Sequence, residues 1–206
     1  MVETKVVLIG GTSGAGKTTL GRALAAKLGI ASLTVDDLQI AARAVTTPES
    51  HPGLHVMNIP TAHEYFTSST VDELTADATA QHEAMRPAIE RVVRVRANSG
   101  PSIVIDGWYM RPRWMGEMDF ENVVSFWIVA DPAVLEARER VLGKEWMAQS
   151  SDPERMFQNF LGRSLWYNDL IRRQAEELGH TVLHQDGSVS VEEMCDMALS
   201  LLERDG

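Results

Sequence analysis

The stretch Val6-Val7-Leu8-Ile9-Gly10-Gly11-Thr12-Ser13-Gly14-Ala15-Gly16-Lys17-Thr18-Thr19 decides the fold class of this chain. Its octet from Gly11 to Thr18 fits the pattern G-x-x-x-x-G-K-[ST], the phosphate-binding P-loop. The octet also lies where that motif requires, between an apolar strand-like run and an amphipathic segment. Glycines let successive N–H groups turn inward toward an anion, and the following helix directs the positive end of its dipole at the same place. The sequence therefore predicts a binding site for a nucleoside triphosphate.

Individual residues of this loop have predicted roles. Lys17 can reach the β- and γ-phosphates, and the Thr18 hydroxyl can ligate Mg²⁺. The expected cofactors are therefore ATP and Mg²⁺. The predicted nucleotide-binding residues are Gly11, Thr12, Ser13, Gly14, Ala15, Gly16, Lys17, Thr18 and Thr19.

Composition limits the class of protein. The chain has 206 residues, of which 44% are hydrophobic, and a formal net charge of −10. This acidity argues against a surface that follows nucleic acid or an anionic membrane, because both favour a basic face. The single cysteine, Cys195, excludes an internal disulfide and is expected on the core side of the last helix. No apolar run is long enough to span a bilayer, and the first strand leaves no room for a signal peptide, so we expect a cytoplasmic protein.

The rest of the chain alternates strand and helix patterns. The predicted strands cover residues 6–9, 32–35, 103–105, 123–129 and 181–184. Strands separated by helices indicate a parallel sheet covered on both faces, with the ligand at the carboxyl ends of the strands. We therefore expect an α/β fold of the three-layer P-loop type, with a five-stranded parallel sheet, in a single domain (1–206). A substrate-binding insertion is expected at about 45–75 and a helical lid at about 138–165.

Two segments between the second and third strands carry further predictions. Thr46–Ser69 is rich in Pro, Thr, Ser and His and has little periodicity. We interpret it as an acceptor-binding cap, because a long ordered loop in a compact domain is usually functional. The capping-box pattern Thr70–Glu73 then opens a helix that runs to about Asn98, which Pro87 is expected to kink or divide.

Acidic residues at the predicted strand ends are the candidates for catalysis. Asp36 and Asp37 follow the second strand, where a carboxylate can take the proton of an acceptor hydroxyl. Alternatively, Asp36 caps the following helix. Since one of two adjacent carboxylates can cap while the other faces the site, Asp36 is the predicted base and Asp37 its competitor. Asp106 closes the apolar strand Ile103–Ile105 and is expected to hold Mg²⁺ with Thr18, although it could instead contact the acceptor.

Arginines are expected to neutralise the charge on the transferred phosphoryl group. Arg138 and Arg163, on the two helices after the fourth strand, are the best candidates for a catalytic lid arginine. Arg111 and Arg113, just beyond the third strand, and Arg86 in the long helix are predicted to hold a carboxylate or phosphate of the acceptor.

The chain resembles bacterial P-loop kinases described as 2-phosphoglycerate kinase-like. The stretches that carry the resemblance are Gly10–Thr18, Val35–Leu38, Thr46–Pro52 and Arg163–Tyr167. The architecture also resembles that of shikimate, gluconate and nucleoside-monophosphate kinases. In shikimate and gluconate kinases the carboxylate at the Asp36 position contacts the acceptor. Where shikimate and gluconate kinases have a glycine-rich turn after strand three, this chain has Asp106-Gly107-Trp108-Tyr109.

The resemblance implies an ATP-dependent kinase that phosphorylates a hydroxyl of a small molecule, such as a 2-phosphoglycerate-like or sugar-acid metabolite. Natural-product, antibiotic and nucleoside acceptors are the alternatives. A non-catalytic nucleotide-sensing module is a second alternative, although it would have no need for Asp36, Asp106 and a lid together. The sequence leaves open the oligomeric state and the choice between ATP and GTP.

Overall fold

The computed structural model describes residues 4–56, 61–118 and 120–205. Residues 57–60, which belong to the predicted cap, lie outside the described residues. The strands are β1 (Val6–Gly11), β2 (Ala31–Thr34), β3 (Ile103–Gly107), β4 (Val123–Ala130) and β5 (Thr181–Gln185). The helices of the described ranges are α1 (Lys17–Leu28), α2 (Val35–Ala44), α3 (Ala62–Ser68), α4 (Val71–Ser99), α5 (Pro112–Glu117), α6 (Pro132–Leu142), α7 (Lys144–Met147), α8 (Pro153–Leu178) and α9 (Val191–Asp205).

The five strands form one sheet in the order β2-β3-β1-β4-β5, and every pair is parallel. This confirms the predicted five-stranded parallel sheet. The central strand β1 is buried along its whole length, as expected for a strand covered on both faces. In its pairing with β3, Ile9 lies opposite Asp106 and Gly10 opposite Gly107. The two strands therefore end side by side, which brings the P-loop next to Asp106.

Helices cover both faces of the sheet. Because side chains alternate along a strand, Val7 and Ile9 face one apolar cluster with α1 and α9, whereas Val6 and Leu8 face the other with α4 and α5. Cys195 is completely buried in the first cluster, as predicted. Helix α8 contributes to both clusters, the first through its amino-terminal third and the second through its carboxyl-terminal half. This long helix therefore passes along the edge of the sheet where the ligand site is expected.

The region between β2 and β3 is more regular than its sequence indicates. The predicted cap contains a short 3₁₀ turn at Pro52–His55 as well as α3. The predicted capping box at Thr70 and Glu73 is confirmed, but Pro87 does not divide α4. Pro87 lies on the solvent side of the helix, so the carbonyl group that loses its helical hydrogen bond can bind water instead. Within the described ranges, no helix has both the length and the apolar character needed to cross a bilayer.

Candidate active site

The P-loop joins β1 to α1 in the conformation that its glycines permit. Gly14 has φ 70° and Gly16 has φ 101°, values that residues with a side chain rarely adopt. Lys17 reaches back across the loop, where its Nζ donates to the Thr12 carbonyl oxygen at 2.7 Å. Burial lowers the pKa of Lys17, although the negative charges of Asp36, Asp106 and Glu139 oppose this effect. The lysine is thus a desolvated cation in a cluster of acidic side chains.

An open cleft of about 900 Å³ runs from the P-loop toward α6 and α9. At the phosphate end it is lined by the loop and by Asp36. At the far end it is lined by Val141, Leu142 and Val191, which are exposed apolar side chains. The polar residues there include Gln185, the last residue of β5. An elongated cleft with a polar and an apolar end has the shape and chemistry for a nucleotide.

Thr18 and Asp106 meet beneath the P-loop. The Thr18 hydroxyl donates to Asp106 Oδ1 at 2.7 Å, and Asp106 is only 2% exposed. Burial raises the pKa of Asp106, while the hydrogen bond from Thr18 and the charge of Lys17 lower it. A hydroxyl and a carboxylate are hard oxygen donors of the kind that Mg²⁺ prefers, and Mg²⁺ commonly completes its shell with phosphate oxygens and water. The described residues contain no cluster of three or more His, Cys, Asp or Glu side chains for a metal. The Thr18–Asp106 pair therefore fits a nucleotide-bound Mg²⁺ ion.

Asp36 lies at the edge of the same cluster, but the local structure differs from the prediction. Strand β2 ends at Thr34, whose side-chain oxygen caps α2 by accepting from the Asp36 N–H at 3.4 Å. The expectation that Asp36 or Asp37 caps this helix is therefore wrong, because Thr34, two residues before Asp36, takes that position. Both aspartates lie instead in the first turn of α2. Asp36 faces the open cleft, and desolvation by the surrounding protein, with repulsion from Asp106 and Asp37, raises its pKa.

Glu139 is a buried carboxylate beside the P-loop that the sequence analysis missed. It is 3% exposed, and a Cβ atom built on Gly14 would lie 3.2 Å from Glu139 Oε1. Among the described residues, Oε1 has no hydrogen-bond partner. Burial raises the pKa of Glu139, against a hydrogen bond with Ser13 and the positive charges of Arg163 and Lys17. The Glu139 carboxylate thus interacts electrostatically with both Lys17 and Arg163.

The two predicted lid arginines have different surroundings. Arg138 Nη1 donates to the backbone carbonyl oxygens of Gly14 at 3.1 Å and Ala15 at 3.4 Å, so it supports the outside of the loop. The Arg163 guanidinium lies 4.7 to 4.8 Å from the ring centres of Phe66, Trp108 and Phe160. Burial lowers the pKa of Arg163 to about 10, which leaves it charged at neutral pH. Arg163 is therefore a partly desolvated cation near Glu139.

Helix α8 holds Arg163 in place through two buried contacts. The Thr12 hydroxyl of the P-loop donates to the Ser164 carbonyl oxygen at 2.9 Å. One turn further on, the Asn168 side chain accepts from Ala130 N at 3.0 Å and donates to Ala130 O at 2.9 Å. The carboxyl-terminal end of the predicted lid (138–165) is thus bonded to the P-loop at Ser164, and α8 is bonded to β4 just beyond it at Asn168. Arg163 is positioned by the framework of the domain.

The three arginines predicted to bind the acceptor are not equivalent. Arg86 forms ion pairs at 2.6 Å with Glu90 and with Glu117. Arg113 is exposed and lies 3.5 Å from Glu177. Arg111, in contrast, is 9% exposed and packs over the rings of Trp114 and Trp166. The structure therefore brings Arg111 into an aromatic interior and leaves Arg86 and Arg113 engaged by carboxylates.

Sequence reasoning missed Thr34, His82 and Glu139 as members of this region. Glu139 directly follows Arg138, and helical spacing alone does not say which of the two faces the loop. His82 lies in the middle of α4 and is completely buried against Trp108, Tyr109 and other rings. Its signal in the sequence is a histidine on the apolar face of a helix, which is most often an ordinary core residue.

The strand order and the P-loop with its Thr18–Asp106 pair define a protein of the P-loop nucleoside triphosphate-binding class. Within that class, the chain belongs to the chloramphenicol phosphotransferase-like family, whose model matches residues 4–150.

Curated relatives confirm the predicted resemblance to 2-phosphoglycerate kinases. The 2-phosphoglycerate kinase of Pyrococcus furiosus is 29% identical over 126 residues, which are 61% of this chain and 41% of that protein. The 2-phosphoglycerate kinase of Methanopyrus kandleri is 22% identical over 204 residues, covering 97% of this chain and 61% of that protein. The chain thus spans about two fifths of the length of the Pyrococcus relative and about three fifths of the Methanopyrus one.

Solved structures confirm the fold. A shikimate kinase from Bacteroides thetaiotaomicron superposes with a TM-score of 0.55 at 21% identity, over 96% of this chain and 98% of that one. A shikimate kinase from Acinetobacter baumannii in complex with shikimate gives 0.52 at 14% identity, over 98% and 94% of the two chains. At this level of identity the likeness concerns the fold alone.

Proposed function

We propose that this protein is an ATP-dependent phosphotransferase that transfers the γ-phosphoryl group to a hydroxyl of a small molecule. One observation carries the proposal: Asp36 lines the same cleft as Lys17 and Thr18, and the Thr18 hydroxyl is bonded to Asp106 at 2.7 Å, so that Lys17 and two carboxylates meet at this edge of the sheet. A loop that only bound nucleotide would use Lys17 and the Thr18–Asp106 pair but would have no use for a further carboxylate facing the cleft. The family match and the kinase names of the relatives support the same reading.

The P-loop residues bind and orient the phosphates. Backbone N–H groups between Gly11 and Thr19 surround them, and Lys17 exchanges its contact with the Thr12 carbonyl for the β- and γ-phosphate oxygens. Thr18 and Asp106 would hold the Mg²⁺ ion, which when bound neutralises charge on the β- and γ-phosphates. The apolar side chains at the far end of the cleft, Val141 and Leu142 among them, cover the base.

Asp36 aligns the acceptor and takes its proton. As the hydroxyl oxygen bonds to the γ-phosphorus, the bond from phosphorus to the β–γ bridging oxygen breaks, and the hydroxyl proton passes to the Asp36 carboxylate. The raised pKa of Asp36 makes it a stronger base than an ordinary aspartate. Because phosphoryl transfer passes through a loose transition state, alignment matters more than basicity.

Arg163 stabilises the charge of the transferred group. Its position is fixed by the Thr12–Ser164 and Asn168–Ala130 contacts, so the cation needs little reorganisation during the reaction. It lies over the ring of Trp108, which directly follows β3. Arg138 serves the loop itself through its bonds to the Gly14 and Ala15 carbonyls.

Two classes of acceptor are supported by different observations. The relatives named 2-phosphoglycerate kinase favour an anionic metabolite, such as a phosphoglycerate-like compound or a sugar acid. The family description, chloramphenicol phosphotransferase-like, favours an uncharged natural-product alcohol. The aromatic side chains around Arg163, including Trp108 and Phe66, would suit the second class as well.

ADP release with MgATP and a panel of sugar acids, phosphorylated sugar acids, polyols, nucleosides and antibiotics tests the proposal. Lys17→Ala should reduce turnover of any accepted compound by at least ~10²-fold, because it removes a preorganised cation at the transferred group. Lys27→Ala is the matched control on the same helix, since Lys27 is exposed and pairs with Asp196 at 2.6 Å. Tight binding of ATP without ADP release on any member of the panel would instead favour a nucleotide-sensing module.

A further inference from the structure

His82 and Arg111 form a buried pair between α4 and the segment after β3. His82 is fully buried and Arg111 is 9% exposed. Arg111 Nε donates to His82 Nδ1 at 3.3 Å. Since Nδ1 accepts, the hydrogen of the neutral imidazole lies on Nε2, which makes Nε2 a donor.

Each member of the pair keeps one donor unused. In the part of the chain that the structure describes, His82 Nε2 and Arg111 Nη2 are buried without a hydrogen-bond partner. The described residues also place no carboxylate in an ion pair with Arg111, although the neighbouring Arg86 and Arg113 both have one. Buried donors without acceptors are costly and rare in native proteins, so two of them on contacting side chains point to an acceptor group supplied by a ligand.

The pair lies within reach of the transfer site. The His82 ring centre is 4.6 Å from that of Trp108, and Arg163 Cζ is 4.7 Å from the same Trp108 ring centre. The His82 ring centre and Arg163 Cζ are therefore separated by no more than the sum of these two distances. Tyr167, which packs on His82 and Trp108, is in electrostatic contact with both Arg111 and Asp36. The pair and the proposed transfer site therefore share the Trp108 ring as a neighbour.

We propose that His82 and Arg111 form a carboxylate-binding subsite of the acceptor pocket, so that the acceptor is a hydroxy acid. This inference rests on the proposed function, because it assigns the second functional group of the compound whose hydroxyl is phosphorylated. Trp114 and Trp166, whose ring centres lie 5.2 and 5.9 Å from Arg111 Cζ, hold the guanidinium in place. A planar guanidinium edge matches the two oxygens of a carboxylate.

Charge balance favours a carboxylate over a phosphate ester. Burial, together with the positive charges of Arg111 and Arg163, lowers the pKa of His82, so the imidazole is neutral at pH 7. The subsite then carries the single positive charge of Arg111, which a monoanion neutralises. A phosphate dianion would leave a negative charge in a buried, aromatic environment, which is unfavourable.

Calorimetric titration with matched probes tests the subsite without relying on turnover. The probes are D-glycerate and D-gluconate, their uncharged primary amides, and glycerol 3-phosphate, each added to the wild type and to Arg111→Met and Arg113→Met variants. The wild type should bind at least one acid more tightly than its amide. Arg111→Met should weaken binding of that acid by roughly 10- to 100-fold and leave the amide nearly unchanged. Arg113→Met, which removes an exposed arginine of the same helix region, should change neither.

Several outcomes would overturn the inference. It is wrong if no acid binds the wild type more tightly than its amide, or if Arg111→Met keeps the discrimination. Tighter binding of glycerol 3-phosphate than of glycerate would overturn the choice of a carboxylate. Titration with a non-hydrolysable ATP analogue verifies that each variant is folded, and Arg111→Lys replaces Arg111→Met if the latter is not. Selective binding of acids without any ADP release would uphold the subsite and contradict the proposed function, so the two failures are distinguishable.

Discussion

Replacing Asp36 by asparagine gives the most direct test of the proposed chemistry. The change keeps the size of the side chain but removes its charge and basicity. Loss of a positioned general base typically lowers turnover by ~10²–10⁴-fold, so we expect kcat to fall within this range. ATP affinity should be unchanged or slightly higher, because a negative charge beside the phosphate site is removed.

Asp36→Asn should lower the activity without lowering the thermal stability of the protein. Folding raises the pKa of Asp36 above its ordinary value of 3.8, chiefly through desolvation. When folding raises the pKa of a carboxyl group, the bound proton stabilises the folded state at pH values below the pKa of the unfolded state. This stabilisation is lost as the pH rises through the pKa of the folded state. At neutral pH the ionised carboxylate is therefore a net cost, and Asp36→Asn should have a Tm equal to or above that of the wild type. The difference should vanish below pH ~4, where both forms are neutral.

The assays are steady-state kinetics with an accepted hydroxyl compound, thermal unfolding at several pH values, and the pH dependence of kcat/KM. The acid limb of the wild-type profile should lie above the ordinary aspartate value and disappear in Asp36→Asn. Asp37→Asn is the control, because Asp37 shares the first turn of α2 with Asp36 but is not among the residues that line the cleft. Since Thr34 caps this helix, the control should lose only ~0.3–1 kcal/mol of charge–dipole stabilisation and retain kcat. If Asp37→Asn abolishes turnover and Asp36→Asn does not, the assignment of the base is wrong.

Two further predictions concern the metal pair and the core beneath the loop. Asp106→Asn should weaken Mg²⁺-dependent turnover and leave metal-free nucleotide binding nearly intact, as followed by titration with and without Mg²⁺; equal loss of both would point to a folding role. Gly10→Ala should lower the free energy of unfolding by ~1–3 kcal/mol or more in denaturant titrations, because its Cβ would lie 2.1 Å from Cζ3 of the buried Trp127. Unchanged stability would mean that this ring repacks freely.

The sequence predicted the P-loop, the strands and the capping box of α4 well, because these features depend on residues that are close together in the sequence. Three features each depend on neighbours a few residues away: the P-loop, the capping box at Thr70 and Glu73, and the strand that carries Asp106. The wrong prediction of the helix cap after β2 also has a local cause. A one-residue difference in where the strand ends made Thr34 the cap and moved Asp36 into the helix, although its side chain still faces the cleft.

The long-range contacts of the site had no such signature. Arg111 and Arg113 are two residues apart and look alike in the sequence, yet one is buried against His82 and the other pairs with Glu177 on the surface. Their difference arises from where α4 and α8 pass, and each of these helices is more than ten residues away in sequence. Glu139 likewise gains its importance from the fold of the P-loop against α6.

Desolvation distinguishes the residues that we assign to function from those that serve the surface. Arg86, Arg113 and Arg140 each lie in ion pairs with glutamates, where solvent screening makes the interaction weak and the role structural. Burial instead lowers the pKa of Lys17 and Arg163 and raises the pKa of Asp106 and Glu139, and partial desolvation at the edge of the cleft raises the pKa of Asp36. A fold keeps such unfavourable charges where a ligand of complementary charge repays the cost on binding. The same reasoning extends the site beyond the phosphates, because His82 and Arg111 are desolvated donors without an acceptor in the described chain. The proposed phosphate site and the proposed carboxylate subsite therefore rest on the same physical criterion, the desolvation of charged or polar groups.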